Sequence, residues 1–311
     1  MINLDRNDLV DWLEHVKIYA NNGKVVDYIP ALANQQPETN AVAFYPLGKE
    51  NDVIHAGQAD YYFTIQSISK VIALALALIQ QGEQAVFSRV DKEPTSDPFY
   101  SVAKLEVEKP AKPFNPMINA GALAVTNMIR GRNSTDMVEE ILTLIRLMAN
   151  DESITFDHEV AQSEYETAFL NRALCYFMKQ HGVITGSIEE LLDVYTKQCA
   201  IQMNVKQLAR IGAVFANDGK DPDTNEEIIP DQVARICKTF MVTCGMYNES
   251  GTFAINVGIP AKSGVSGAIM GVIKESGGIA VFGPALNDKG NSVVGIRFLE
   301  KLAEEKHWSI F

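Results

Sequence analysis

The chain has 311 residues, 47% of them hydrophobic and 21% charged, with a formal net charge of −12. That is ordinary for a globular protein and long enough to bury a sizeable core, as one large domain or two smaller ones. The acidic balance excludes the basic footprint of a nucleic-acid surface and opposes docking on anionic membranes, so neither nucleic acid nor membrane is expected as a partner.

The opening Met1-Ile2-Asn3-Leu4-Asp5-Arg6 turns polar at once, so no signal peptide is expected and a cytoplasmic location follows. Leu4 to Ala20 predicts an amphipathic helix, with Leu9, Leu13, Val16 and Tyr19 or Ala20 on one side, ended by Asn21-Asn22-Gly23. Asp27 to Ala33 is a short apolar loop in which Tyr28 reads most simply as a packing residue. Ala41 to Tyr45, Asp52 to Ala56 and Tyr61 to Ile65 predict a meander of three short strands.

The third strand runs into Gln66-Ser67-Ile68-Ser69-Lys70 and then a wholly apolar stretch, Val71 to Ile79, stopped at Gly82. A helix with no polar face is buried on all sides, and this one is too short to span a bilayer. Ser67 falls at the strand-to-helix turn, with Lys70 one helical turn later and on the same face. Burial lowers a lysine pKa, and a neutral amine beside a hydroxyl is a general base for a nucleophile. The helix N-terminus adds partial positive charge where an oxyanion would form.

From Ser67 to about Val242 helical patterns dominate. Lys109 to Pro116 is a proline-stiffened loop, and Asn119-Ala120-Gly121 opens a second buried helix, where Asn119 either caps the helix or faces a ligand. Ser134 to Asn150, Glu164 to His181, Ser187 to Ile201 and Val205 to Asn217 predict further helices. Ser134-Thr135-Asp136 offers N-cap candidates and Ser187-Ile188-Glu189-Glu190 has capping-box form. Gly251 to Val257, Gly267 to Ile273 and Gly277 to Phe282 predict three glycine-bounded strands, and Ser292 to Lys306 a closing amphipathic helix. Strands at both ends with helices between them imply an α/β (α+β) fold: one antiparallel sheet built from both chain ends, flanked by the terminal helices, with an inserted all-helical lobe. A site at the sheet–lobe seam is expected.

Cys175, Cys199, Cys237 and Cys244 are widely spaced, which predicts reduced thiols. His158-Glu159 lacks a second histidine at position 162, which is Gln162, and no phosphate loop or dinucleotide fingerprint occurs. No metal and no organic cofactor is expected.

Ser67-Ile68-Ser69-Lys70 with Lys262-Ser263-Gly264, just before the strand Gly267 to Ile273, resembles the motif pair of penicillin-recognising serine enzymes. Their middle motif is missing, since no Ser-x-Asn or Tyr-x-Asn occurs between Lys70 and Lys262. The resemblance therefore carries a serine β-lactamase-like fold rather than a β-lactamase or transpeptidase reaction. More specific are Asp27-Tyr28-Ile29-Pro30, Gln66 to Lys70, Asn115 to Ala122 (Asn-Pro-Met-Ile-Asn-Ala-Gly-Ala), Gln162-Ser163-Glu164, Asn171-Arg172, Asp193-Val194-Tyr195, Cys244-Gly245-Met246-Tyr247, Pro260 to Val265 and Gly290-Asn291-Ser292-Val293. In order and over nearly the whole chain from about residue 25, these segments resemble the serine-dependent glutaminases.

The resemblance implies hydrolysis of L-glutamine to L-glutamate and ammonia through a γ-glutamyl ester on Ser67. It implies Ser67, Lys70 and Tyr247 as the catalytic group and Tyr28, Ser67, Asn119, Glu164, Asn171, Tyr195, Tyr247 and Val265 as substrate contacts, with Lys262 as an accessory. Glu164 suits the α-ammonium, Asn119 and Asn171 the α-carboxylate, the ammonium or both, and the N–H groups of Ser67 and Val265 an oxyanion hole. Taken one at a time, Tyr195 reads as lobe core, Glu164 as a solvated first-turn carboxylate and Val265 as a strand residue. The family also implies a single catalytic domain, with a sheet lobe at roughly 1–66 and 245–311 and a helical lobe at roughly 67–244, and homo-oligomers, tetramer or dimer. The alternatives are hydrolysis of a related side-chain amide, as in asparagine or a γ-glutamyl peptide, and a non-catalytic penicillin-binding-like sensor.

Overall fold

A computed structural model of the chain describes residues 4–48, 52–95 and 112–311. Lys109, Pro110 and Ala111, the start of the predicted proline-stiffened loop, lie outside these residues. The strands are β1 (Ala41–Pro46), β2 (Ile54–Gly57), β3 (Phe63–Thr64), β4 (Gln202–Met203), β5 (Ala261–Ser263), β6 (Ala268–Ile273) and β7 (Gly277–Phe282). Five form one antiparallel sheet in the order β2-β1-β7-β6-β5, so β1, from the N-terminal part, lies directly against β7, from the C-terminal part.

The period-two alternation of β1 sorts its side chains onto two faces. Val42 and Phe44 join Leu9, Trp12 and Leu13 of helix α1 (Arg6–Val16) and Phe298, Leu299 and Leu302 of the last helix, Val293–Lys306. Ala41 and Ala43, with Met270 and Ala280, face the central helical layer. There the helix Val205–Ala216 lies across β1, β6 and β7, and the small residues Gly212, Gly271 and Gly278 allow backbone to approach backbone: a Cβ on Gly212 would stand 2.8 Å from the Gly271 carbonyl.

Between the two halves of the sheet run α2 (Ser69–Gln81), α3 (Glu83–Arg89), α4 (Asn119–Thr126), α5 (Ser134–Ala149), α6 (His158–Thr167), α7 (Phe169–Gln180), α8 (Ile188–Cys199), α9 (Val205–Ala216) and α10 (Asp231–Cys244). They are followed by α11 (Ser250–Asn256) and, after the sheet, α12 (Val293–Lys306). Helix α2 is buried on every side from Ser69 to Leu78, as its unbroken apolar run predicts. Each fully buried aliphatic side chain contributes about 1.5–3 kcal/mol.

Several boundaries differ from expectation for identifiable reasons. The first helix stops at Val16 and continues as a 3₁₀ turn, Lys17–Asn22, rather than running to Ala20 as one helix. The third strand leaves the meander: β3 pairs with β4 instead, and Phe63 stacks on Phe282 of the main sheet with ring centroids 4.6 Å apart. The stretch Glu164 to His181 is not one helix but parts of α6 and α7, broken at Ala168; the Arg172 guanidinium takes up the Tyr165 carbonyl at 2.8 Å beside the break.

Asn133, not Ser134, Thr135 or Asp136, caps α5, accepting from the Asp136 N–H at 2.9 Å. Ser187 caps α8, accepting from Glu190 N–H at 3.3 Å, but the reciprocal side-chain bond of the expected capping box is not made. Gly251 to Val257 is helix α11 rather than a strand. The Ser250 hydroxyl bonds both Met246 N–H and the Tyr247 carbonyl, and Gly258, in the left-handed region at φ 71°, closes the helix C-terminus. The β-favouring composition that suggested a strand buries nothing at Ile255, which is 87% exposed. Lys262-Ser263 is itself a strand, β5, at the sheet edge rather than a lead-in to β6.

Candidate active site

Ser67 sits in a 3₁₀ turn, Gln66–Ile68, between β3 and α2. The turn requires φ +49° at Gln66, a conformation non-glycine residues adopt only where their surroundings over-determine it. Edge strand β5 then packs against this turn: a Cβ on Gly264 would lie 2.6 Å from the Ile65 carbonyl oxygen, so only glycine permits the approach. The next residue, Val265, is thereby set beside Ser67, and among the described residues its N–H has no hydrogen-bond acceptor.

Lys70, 1% exposed, points its amine inward as predicted. Its hydrogen bonds go to the Met117 carbonyl at 3.2 Å and to Asn119 Oδ1 at 2.7 Å, not to the Ser67 hydroxyl that the sequence spacing places beside it. Both acceptors come from the segment leading into α4, where Asn115 shapes the chain. Its Oδ1 accepts from the N–H groups of Met117 and Ile118, and its amide donates to the Glu93 carbonyl. Burial brings the Lys70 pKa down to about 8, opposed by the nearby Cys199 and Glu164.

Asn119 does not cap its helix; the N-cap is Ile118. Its side chain instead faces the seam, accepting from Lys70 and from the Tyr195 hydroxyl (3.5 Å) and donating to Asn171 Oδ1 at 3.1 Å. Tyr195 is buried, and burial pushes its hydroxyl pKa up. Glu164, on α6, has one carboxylate oxygen buried without a partner. Burial raises its pKa to about 7, against a hydrogen bond from Gln66 and the charge of Lys70, both of which favour the carboxylate. An unpaired buried carboxylate oxygen awaits a cation or a donor.

One cavity of about 700 Å³ collects these groups. Tyr28, Ser67, Asn119, Glu164, Asn171, Tyr195 and Val265 all line it, as do Gln66 and the loop Leu286 to Gly290. Tyr28, 58% exposed, forms part of its rim rather than packing inside. The strap that carries it is tied down by paired bonds between Lys24 and Leu286 and by the Ala31 N–H on Ser163 Oγ. The far loop is held by Asn287 and Asn291, whose amides converge on Glu249 at 2.6 to 3.1 Å. Lys70 and Tyr247 stand just behind the wall, and the Tyr247 ring would lie 3.7 Å from a Cβ on Gly290.

Tyr247, buried and at φ +50°, has its hydroxyl pKa raised by burial and held back by its interaction with Ser67. Lys262 is wholly buried, its amine 2.7 Å from the Ser263 carbonyl and 4.5 Å from the centre of the Tyr247 ring. Burial, then the charge of Lys70, drives its pKa far below the usual range. Among the described residues no group of three or more His, Cys, Asp and Glu side chains could hold a metal ion, and no helix is long and apolar enough to cross a membrane. A larger surface groove of about 880 Å³ near Arg130 contains none of the residues above.

Sequence reasoning assigned no role to Gln66, Asn115, Ser69 or Gln198. A readable signal existed for two of them. Asn115 sits between Pro113 and Pro116, where a side chain must supply the bonds the backbone cannot. Gln198 is a polar residue on the buried face that Leu191, Val194 and Tyr195 define.

A family model described as Glutaminase matches residues 23–311. A glutaminase of Geobacillus thermodenitrificans is 57% identical over 307 residues, 99% of each chain, and glutaminase 1 of Halalkalibacterium halodurans is 60% identical over 295 residues, 95% of each. Among solved structures, a probable glutaminase from Bacillus subtilis complexed with 6-diazo-5-oxo-L-norleucine superposes with a TM-score of 0.89 at 38% identity, covering all of this chain and 97% of that one. Mglu in its glutamate form gives 0.93 at 32% identity, over all of this chain and 70% of that one. With these neighbours the mixed α/β architecture is the β-lactamase-like fold expected from the Ser-x-x-Lys and Lys-Ser-Gly motifs.

Proposed function

The chain belongs to the glutaminase family, amidohydrolases that convert L-glutamine to L-glutamate and ammonia, and from that premise we propose that Ser67 is the group acylated. The observation that carries the reading is a single cavity in which Ser67 faces an unpaired Glu164 oxygen and two carboxamides. That set matches a zwitterion with a carboxamide at its far end. Glu164 takes the α-ammonium as a charge-assisted bond, and Asn119 and Asn171, with Tyr195 and Tyr28, hold the α-carboxylate end.

The γ-carboxamide carbon then lies at Ser67 Oγ. Lys70, as the neutral amine, accepts the hydroxyl proton as Oγ bonds to that carbon. The Ser67 and Val265 N–H groups hold the resulting oxyanion, donors whose individual removal typically costs about 10²–10³ in rate. As the C–N bond breaks, the Tyr247 hydroxyl gives its proton to the departing ammonia and regains one from Lys70. Water then attacks the ester by the same path in reverse, releasing glutamate and restoring the Ser67 hydroxyl. Lys262 packs against the Tyr247 ring and keeps it aimed at Ser67.

We take the whole chain as one catalytic domain, acting in the cytoplasm as a homo-oligomer without metal or organic cofactor; four free cysteines fit a reducing compartment. Ammonia release from L-glutamine, with L-asparagine and a chromogenic β-lactam in parallel, tests the reading. Glutamine turnover abolished by Ser67→Ala is the expected result. Turnover of asparagine or the β-lactam alone would overturn the substrate.

A further inference from the structure

Behind the nucleophile turn, and away from the cavity, runs a buried hydrogen-bond chain that the reaction described above does not use. Thr126 Oγ1, on α4, donates to Gln198 Oε1 at 3.0 Å. Gln198 Nε2, on α8, donates to Ser69 Oγ at 3.2 Å, and Ser69 Oγ donates to the Gln66 carbonyl at 2.7 Å. Thr126, Gln198 and Ser69 are all fully buried and Gln66 nearly so. The direction of the chain is fixed at its far end. Because Thr126 donates to the amide oxygen, the amide presents its NH₂ to Ser69, and Ser69, having accepted there, turns its own hydrogen towards Gln66.

The last acceptor has a particular geometry. The Gln66 carbonyl and the Ser67 N–H belong to one planar trans peptide, so they point in opposite directions. Holding the carbonyl therefore aims the N–H. The Ser69 N–H also reaches the same carbonyl within the 3₁₀ turn, so the carbonyl accepts from both the hydroxyl and the N–H of Ser69. At φ +49° the Gln66 backbone is in a sparsely populated region, which persists only where the surroundings hold it.

We propose that Thr126, Gln198 and Ser69 are positioning residues for glutamine hydrolysis: a one-way hydrogen-bond relay that locks the Gln66–Ser67 peptide so that the Ser67 N–H points into the cavity as an oxyanion donor. The inference rests on Ser67 being the acylated residue. Its distinguishing consequence is that the relay serves the transition state and not the bound substrate. The oxyanion exists only after Oγ has attacked, whereas Asn119 and Asn171, which read the amino-acid end, make no hydrogen bond to Thr126, Gln198 or Ser69, and Glu164 meets Gln66 through its side chain, not through the carbonyl that the relay holds.

The test compares Ser69→Ala, Gln198→Met and the double variant, with Ser69→Thr and Thr126→Ser as conservative replacements that keep each hydroxyl. Each single variant is expected to lower kcat about 10- to 100-fold, less than complete loss of an oxyanion donor because the N–H is misdirected rather than removed. The inhibition constant of L-glutamate, which reports the ground-state site, is expected to move less than about threefold. Residues of one relay do not add, so the double variant falls no further than the worse single variant, while Ser69→Thr and Thr126→Ser stay within about threefold of the parent in kcat.

Unchanged kcat in both single variants, losses that multiply in the double, or glutamate binding weakened as much as kcat would each overturn the relay. Should Gln198→Met fail to fold, Thr126→Val, which frees the Gln198 amide to flip, takes its place with the same expectations. A Ser67→Ala protein that keeps its turnover would instead remove the nucleophile assignment on which the relay rests.

Discussion

Two regions of this molecule bury charge, and they do so in opposite ways. On the helix that lies across the sheet, Arg210 donates to Asp221 at 2.7 Å, to Asp223 at 2.8 Å and to the Met148 carbonyl at 2.7 Å, while Tyr45 donates to Asp223 at 3.0 Å. Burial would raise Asp221, but the Arg210 bond and the Thr224 and Asp223 N–H groups prevail and keep it low. Both carboxylates there bond the one guanidinium, of whose nitrogens only Nε lacks an acceptor. At the seam, Lys70 has only neutral oxygens as hydrogen-bond partners, and one Glu164 oxygen has no hydrogen bond at all. Their pKa values are brought towards each other, to about 8 and about 7. Matched charge holds the fold together; under-matched charge is available for binding and proton transfer.

The largest effect expected from that contrast is at the nucleophile itself. Ser67→Ala should lower kcat by at least about 10⁴-fold, measured as ammonia release, with the melting temperature little changed. Lys70→Ala should cost about 10²–10⁴ in kcat, the range for a general base. It should leave melting as high as or higher than the parent, because removing a buried amine that is hydrogen-bonded only to neutral oxygens relieves desolvation of its charge. Glu164→Gln should raise KM about 10- to 100-fold, the loss of a charge-assisted bond to the α-ammonium, with a smaller change in kcat. Arg210→Ala reverses the pattern. It leaves Asp221 and Asp223 without their cation and should cost about 3–5 kcal/mol of stability in denaturant unfolding, while the folded fraction keeps its kcat.

The smallest effect is the pH dependence, and its sign follows from the two seam groups. In the proposed mechanism Lys70 must be neutral to accept the Ser67 proton, and with a pKa brought down to about 8 by burial it is mostly charged at pH 7. kcat should therefore rise with pH through about 8, by up to about tenfold from pH 7. In the proposed binding mode Glu164 must be ionised to hold the ammonium, so KM should fall as pH rises through about 7. A Glu164→Gln profile that keeps the fall in KM near pH 7 would contradict that assignment, as would a kcat that declines between pH 7 and 8.

Legibility followed the same division. The buried helix α2, the inward amine of Lys70 and the joining of both chain halves in one sheet could be read because each rests on a strongly apolar stretch with clear ends: Val71 to Leu78 without a polar residue, and the β-favouring runs Ala41–Pro46, Ala268–Ile273 and Gly277–Phe282. Short segments went astray where tertiary partners decide. Gly251 to Val257 is β-favouring by composition, yet Ser250 ties the start of a helix to the preceding turn and the Gly258 N–H closes its end on the Phe253 carbonyl. Phe63-Thr64 reads as the end of a meander, but its ladder partner is Gln202-Met203, far along the chain.

In the site, seven of the residues carried by the family resemblance line one cavity while Lys70, Tyr247 and Lys262 do not, and their hydrogen-bond partners were not readable. Nothing in Ser-x-x-Lys says that the amine turns to Met117 and Asn119 rather than to the hydroxyl three residues back. The relay through Thr126, Gln198 and Ser69 joins three helices, and no local spacing can encode that. What the sequence did contain was a glutamine on an otherwise apolar helix face.

The most direct test of the nucleophile is covalent. A Bacillus subtilis glutaminase forms a covalent complex with 5-oxo-L-norleucine on reaction with 6-diazo-5-oxo-L-norleucine, and the same reagent applied to this chain, followed by intact and peptide mass spectrometry, locates the attacking atom. The account predicts one adduct per chain, on the peptide containing Ser67, formed in step with loss of activity and absent from Ser67→Ala. An adduct on another residue, Cys199 in the cavity wall included, or one that persists in Ser67→Ala, would contradict it.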